Sequence, residues 1–220
     1  MGSRINSYDF KNFISRIFSA LIFVPFIIMP IILKGYILYL FYVFLLTFMV
    51  TELIDMIKIS KKKIFIYLYL FTCIFTIFLF VLSISSIENI NFKVVEAILI
   101  IWIFDTFCYL GGKTFNGKKL MPQISKGKTF NGLYSGIIAT IVITVLYYFY
   151  FHNDLYMVFL FVIPIIILSF LGDLIVSVLK RSVNIKDTGN IMPGHGGIID
   201  RMDSFVFVFF FFGIYLLIIV

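Results

Sequence analysis

Residues 156–176 read YMVFLFVIPIIILSFLGDLIV, from Tyr156 to Val176, and Asp173 is the only charged side chain among them. A helix of about 20 residues rises about 30 Å, enough to cross the hydrocarbon core of a bilayer. The apolar residues run on without a polar stripe, so the solvent they fit is lipid. Further stretches read the same way: Ile17 to Leu33, Gly35 to Ile54, Ile64 to Ile84, Val94 to Leu110, Gly132 to Phe151 and Ser204 to Val220. The expected architecture is all-α: a polytopic membrane protein of about seven transmembrane helices. No small-residue cleavage site follows the first stretch, so it is expected to be a retained helix and not a signal peptide.

Composition points the same way. Of 220 residues, 62% are hydrophobic and 13% charged, too few polar groups to cover a soluble domain of this size. Cys73 and Cys108 fall inside apolar runs and are expected to be small core residues, not a disulfide or metal pair. The net charge of +7 would suit nucleic acid, but its placement argues for membrane topology instead. All 18 basic residues except Lys34 and Lys93 fall on the N-terminus or on the second, fourth and sixth connections. The excess of Lys and Arg on one side puts the N-terminus in the cytoplasm and the C-terminus outside. The chain, 1–220, then reads as a single integral membrane domain whose chemistry lies in cytoplasmic loops at about 111–131 and 177–203.

The most informative polar stretch runs from Gly172 to Ser204, GDLIVSVLKRSVNIKDTGNIMPGHGGIIDRMDS. Asp173, Ser177 and Lys180 share one helix face, and Asp200 and Asp203 share another. Carboxylates this close to hydrocarbon need a partner or a bound cation, and two helices presenting them at one depth can hold a hard divalent ion. Between them, Pro193-Gly194-His195-Gly196-Gly197 offers backbone N–H groups to an anion. Lys180, Arg181, Lys186 and Arg201 add positive charge. Metal carboxylates, a glycine-rich loop and basic side chains together suit phosphoryl or nucleotidyl transfer. Charges at the end of a span are usually interfacial anchors, and Lys61, Lys62 and Lys63 read that way. Anchoring alone does not require the clustered aspartates and glycines of 172–204.

A second stretch, 105–136, carries GKTFNG twice, at 112–117 and 127–132. Neither copy is a P-loop, because Phe107 and Pro122 stand where its first glycine is required. The expectation here is a flexible, lysine-rich loop able to touch phosphate, with Asp105 facing the same site. Glu52 and Asp55 fit that cavity and an interfacial role equally well.

Ser177-Val-Leu-Lys180-Arg181, Lys186-Asp187, Pro193-Gly-His-Gly-Gly197 and Asp200-Arg201-Met-Asp203 together resemble the signature of phosphatidate cytidylyltransferase, also called CDP-diacylglycerol synthase. Asp105-Thr106, Ser125 and Gly127-Lys128-Thr129 are similar to that family's upstream block, with Lys126 at a Pro position and Asn131 at a Glu position. The resemblance implies transfer of the cytidylyl group of CTP to phosphatidic acid, giving CDP-diacylglycerol and pyrophosphate. It also implies Mg²⁺ as cofactor, with a second, monovalent cation as an option, held by Asp173, Asp200 and Asp203. Lys180, Arg181 and His195 would join Asp173 and Asp200 in catalysis. Ser177, Lys128, Lys186, Arg201, Gly194, Gly196 and Gly197 would bind substrate. The implied setting is a bacterial cytoplasmic (inner) membrane, with lipid around the chain, no nucleic acid, and a homodimer compatible with the family. An ion transporter is the rival from another class, but its polar groups should lie near mid-membrane and on both faces. Other CTP-using lipid enzymes, such as a CDP-archaeol synthase or a polyprenol kinase relative, are nearer rivals.

Overall fold

The computed structural model describes residues 27–33, 35–61, 63–86, 90–151, 156, 158–189 and 196–219. Residues 27–33 are helical (α1). They are followed by α2 (Gly35–Ile59), α3 (Lys63–Ser86), α4 (Ile90–Thr114), β1 (Lys119–Met121), β2 (Ser125–Thr129), α5 (Phe130–Phe151), α6 (Ile163–Ser182) and α7 (Ile199–Ile219). A π-helical turn, Val158–Val162, leads into α6. It sits just before Pro164, whose missing N–H interrupts the regular ladder.

Among the described residues, four helices are long and apolar enough to cross a membrane: Tyr36–Ile59, Phe92–Thr114, Phe130–Phe151 and Val158–Ser182. Within α3, the described apolar stretch is Lys63–Leu79. The chain is thus a multi-pass, all-α membrane protein. Most of the first expected span, residues 17–26, and the end of the seventh lie outside the described residues. Where helices are seen, they overrun the apolar stretches: α2 continues past Ile54 to Ile59, and α4 runs from Ile90 to Thr114. Hydropathy marks where lipid stops, whereas backbone hydrogen bonding carries the helix on into the polar zone. For the same reason the 177–203 loop shortens. Ser177 and Lys180 are inside α6, and α7 begins at Ile199.

The stretch expected to be a flexible loop is instead a small antiparallel hairpin, with Lys119 opposite Thr129 and Met121 opposite Ser125. Arg181 of α6 donates from Nε to the Ile124 carbonyl in its turn (3.1 Å) and from a terminal nitrogen to the Ile185 carbonyl (2.8 Å). The first of these bonds fastens the hairpin to the end of α6.

Small residues let α4 and α5 pack closely. A Cβ added at Gly132 would lie 2.6 Å from the Cys108 carbonyl, and one at Gly136 would lie 3.1 Å from that of Phe104. Lipid offers no hydrophobic drive between helices, so such close approach is what holds them. Ser135 adds a hydrogen bond to the Phe107 carbonyl (3.0 Å). At the other end of the same pair, the Tyr148 hydroxyl donates to Glu96, which also pairs with Lys93 at 3.1 Å. Thr76 of α3 donates to the Val206 carbonyl of α7 (3.3 Å). Cys73 and Cys108 are both free thiols, as expected.

Candidate active site at the polar ends of α4 to α7

The C-terminal halves of α4 and α6 and the first turns of α5 and α7 meet at one end of the bundle, roofed by the hairpin. They enclose a cavity of about 490 Å³, within the size range of small-molecule sites. Asp105, Asp173, Asp200 and Asp203 line it together with Lys113, Lys128 and Arg201. Asp105 comes from α4, Asp173 from α6, and the other two aspartates from α7, so residues far apart in sequence converge on one space.

Two neighbours expected on one helix face are seen together on each of α6 and α7. The Ser177 hydroxyl reaches Asp173 Oδ1 at 3.4 Å along α6, and Asp200 and Asp203 open onto the cavity from one side of α7. The cross-helix partners could not be read from spacing. Lys128 Nζ, on β2, stands 2.5 Å from Asp173 Oδ2 and lies over the Phe170 ring at 5.1 Å. Lys180 Nζ donates to Asp200 Oδ1 at 2.6 Å, with both side chains largely buried. Among the described residues, no three acidic, His or Cys side chains are gathered closely enough to hold a metal ion as they stand. The oxygens that suit a hard cation are present, but lysine ammonium groups occupy them.

Asp200 is the most heavily supported carboxylate. Its Oδ2 accepts from the N–H groups of Thr188 (2.8 Å) and Gly197 (3.0 Å). Burial works against its charge. Hydrogen bonds from Lys180, Gly197 and Thr188, with the Lys180 charge, outweigh that and hold the carboxyl below its usual range. The anion that the Gly197 N–H meets is Asp200 of the same chain. Gly196 has φ +80°, a backbone that side-chain-bearing residues rarely adopt. Gly194 and His195 lie outside the described residues.

Two further expected site residues lie at the edge of this arrangement. Arg181 is spent on the carbonyls of the hairpin turn and of Ile185, as described above, and Lys186 is exposed to solvent beyond α6. Asn131, at the family's Glu position, donates to the Phe115 carbonyl at 3.3 Å and so joins the two GKTFNG copies.

The model of the cytidylyltransferase family matches residues 60–219. The chain belongs to the cytidylyltransferase family. Phosphatidate cytidylyltransferase of Rickettsia bellii is 35% identical, with 94% of this chain and 93% of that protein aligned. The Rickettsia conorii enzyme of that name is 34% identical across 89% and 87% of the two chains. The Bacillus subtilis one is 41% identical across 51% and 42%. Every cavity residue named above lies inside the stretch that defines the cytidylyltransferase family; one buried acid that bears on the site lies ahead of it.

That acid is Glu52 of α2, only 4% exposed. It does not face the cavity. Its carboxylate accepts from the Thr188 hydroxyl (2.7 Å) and from the N–H groups of Ile198 (2.7 Å) and Ile199 (3.0 Å) at the start of α7. Asp55, by contrast, is a solvent-exposed partner of Lys58. An acid late in an apolar span was the available signal, but its partners come from more than a hundred residues downstream.

Proposed function

We propose that this protein transfers the cytidylyl group of CTP to phosphatidic acid, releasing pyrophosphate and forming CDP-diacylglycerol. The observation that carries the reading is the cavity itself, where carboxylates from three helices meet Lys128 and Arg201, in a chain whose full-length relatives are named phosphatidate cytidylyltransferase. In the reaction a phosphate oxygen of phosphatidic acid attacks the α-phosphorus of CTP, the new P–O bond forms, and the bond to pyrophosphate breaks. The nucleophile is already an anion, so no strong general base is required.

The task left to the protein is to bring two anions together and hold them in line. Lys128, Lys180 and Arg201 are the cations placed to take phosphate oxygens, with Gly196 and Gly197 beside them. His195 and Gly194 belong to the same proposed loop, while Ser177 steadies Asp173. Lys186 and Arg181 act at the rim. The donor chemistry fits Mg²⁺, which Asp173, Asp200 and Asp203 would hold once the lysines turn to phosphate. The ion supplies charge neutralisation at the reacting phosphates. The reading extends to topology: seven spans in one membrane domain, the N-terminus in the cytoplasm, and the site at the inner leaflet of a bacterial inner membrane. There CTP arrives from the cytoplasm and the lipid arrives sideways. A homodimer is compatible with it.

The test is direct. Purified protein given CTP, Mg²⁺ and phosphatidic acid should form labelled CDP-diacylglycerol, and Asp173→Asn or Asp200→Asn should lower the rate by about a hundredfold or more. Product formation that survives both substitutions undiminished would remove these carboxylates from the mechanism.

A further inference from the structure

We propose that Glu52 is a positioning residue: it fixes Thr188, Ile198 and Ile199 so that the adjoining N–H groups, of Thr188 and Gly197, aim Asp200 into the cavity. This rests on the cytidylyl-transfer reading, because it gives Asp200 a task that depends on its placement.

The hydrogen bonds form one chain. Glu52 holds Ile198 N–H, Ile199 N–H and the Thr188 hydroxyl. The neighbouring N–H groups, of Thr188 and Gly197, hold Asp200 Oδ2. The Thr188 hydroxyl also lies 3.1 Å from that same Asp200 oxygen. A hydroxyl has one hydrogen to give, so Thr188 is shared between the two carboxylates and ties their positions together.

Both acids sit at the N-terminal end of α7, where unpaired N–H groups and the helix dipole favour negative charge. Glycine makes the seat. A Cβ on Gly189 would stand 2.8 Å from Glu52 Oε1, and one on Gly197 would run into the Glu52 carboxylate and Thr188 Oγ1. Among the described residues, the donors to Glu52 are two backbone N–H groups and one hydroxyl. That is an anchor for backbone, and the backbone it anchors is the support of Asp200. A carboxylate on α2 thereby reaches the site without touching substrate.

The experiment compares full-length protein with Glu52→Gln, Glu52→Asp and Thr188→Val, each purified in the same detergent. In Glu52→Gln an amide NH₂ replaces one acceptor and faces donors. We expect kcat to fall about tenfold to a hundredfold while the KM for CTP moves by less than about threefold, the pattern of a misplaced catalytic group. Hydrogen exchange at the Ile198 and Ile199 amides should quicken in parallel. Glu52→Asp, which keeps both acceptors on a shorter arm, should recover part of kcat. Should Glu52→Gln fail to fold, Thr188→Val and Thr188→Ser decide: the first loses the shared hydroxyl and should lose kcat, and the second keeps it and should not. A Glu52→Gln enzyme that melts lower but turns over within about twofold of the parent per folded molecule would reduce Glu52 to a structural cap and overturn the proposal. A parent that makes no CDP-diacylglycerol would instead overturn the reading on which it rests.

Discussion

Replacing Lys180 by Met tests the energetics of the site without any assumption about its chemistry. The ammonium group lies 2.6 Å from Asp200, and the two side chains are 14% and 7% exposed. Removing one partner of a buried ion pair typically costs about 3–5 kcal/mol, because the other charge is left in a poor solvent. Asp200 would keep its bonds from Thr188 and Gly197, which places the cost near the low end, at about 3 kcal/mol. For a chain of this length, that lowers Tm by about 6–12 °C. The comparison is Lys58→Met. Its pair with Asp55 is 2.7 Å long but 68% and 67% exposed, and exposed pairs contribute about 0–1 kcal/mol. The two variants remove the same charge from pairs of nearly the same length, so burial is the main difference between them. Acid gives a second signature. In the parent, the lowered Asp200 pKa contributes stability above the unfolded value of about 3.9, and that stability is lost as pH falls through the folded pKa. In Lys180→Met the carboxyl loses its main support against burial, so its folded pKa rises and the penalty is relieved on acidification. The gap between parent and variant should therefore be widest near neutral pH and narrow towards pH of about 4. Melting curves of purified protein, followed by intrinsic fluorescence across that range, measure both. A Lys180→Met protein melting within about 2 °C of the parent at pH 7 would refute the account of a buried, mutually dependent pair.

Two other substitutions probe the scaffold. Gly132→Val drives side-chain carbon towards the Cys108 carbonyl, only 2.6 Å from a Cβ at that position. Overpacking of this kind should cost about 1–3 kcal/mol and lower Tm by several degrees in the same assay; an unchanged Tm would mean that α4 and α5 separate freely. Tyr148→Phe removes the hydroxyl that donates to Glu96, leaving that acid to Lys93 at 3.1 Å. It should cost about 1–3 kcal/mol yet leave kcat unaltered, because this pair sits at the far end of α4 and α5 from the cavity. A large kcat loss at full stability would contradict that separation.

What the sequence disclosed follows from the range of each interaction. A run such as YMVFLFVIPIIILSFLGDLIV needs only its own residues to declare a membrane helix, and α6 is there. Contacts along one helix were equally legible: Asp173 with Ser177, and Asp200 beside Asp203. Helix ends were not, since Thr114 and Lys63 remain helical after hydropathy has dropped. The hairpin escaped because β1 and β2 are short, and KLM and SKGKT carry neither a run of β-branched residues nor an Asn-Gly turn. The partners of the carboxylates were hidden for a different reason. That Lys128 meets Asp173, or that Glu52 meets Ile198, depends on how elements distant in the chain pack, and no local spacing encodes it.

That packing also bears on how these carboxylates would take up a divalent ion. Four aspartates at the rim of a hydrocarbon layer would repel one another strongly in so weak a dielectric. Lys128 and Lys180 each neutralise one of them, and because each ammonium takes a different carboxylate, the acids are kept from closing into a single cage. An ammonium has no geometric claim on carboxylate over phosphate; both are oxygen anions, and a triphosphate brings more charge. On the proposed reading, CTP draws the lysines off, and the freed carboxylates then need another cation at the moment the phosphates also need one. Nucleotide and Mg²⁺ would thus each bind better in the other's presence, by the same factor from either side. The lysine–aspartate pairs are the reason to expect that dependence, since carboxylates already free to converge would take up the ion without waiting for the nucleotide.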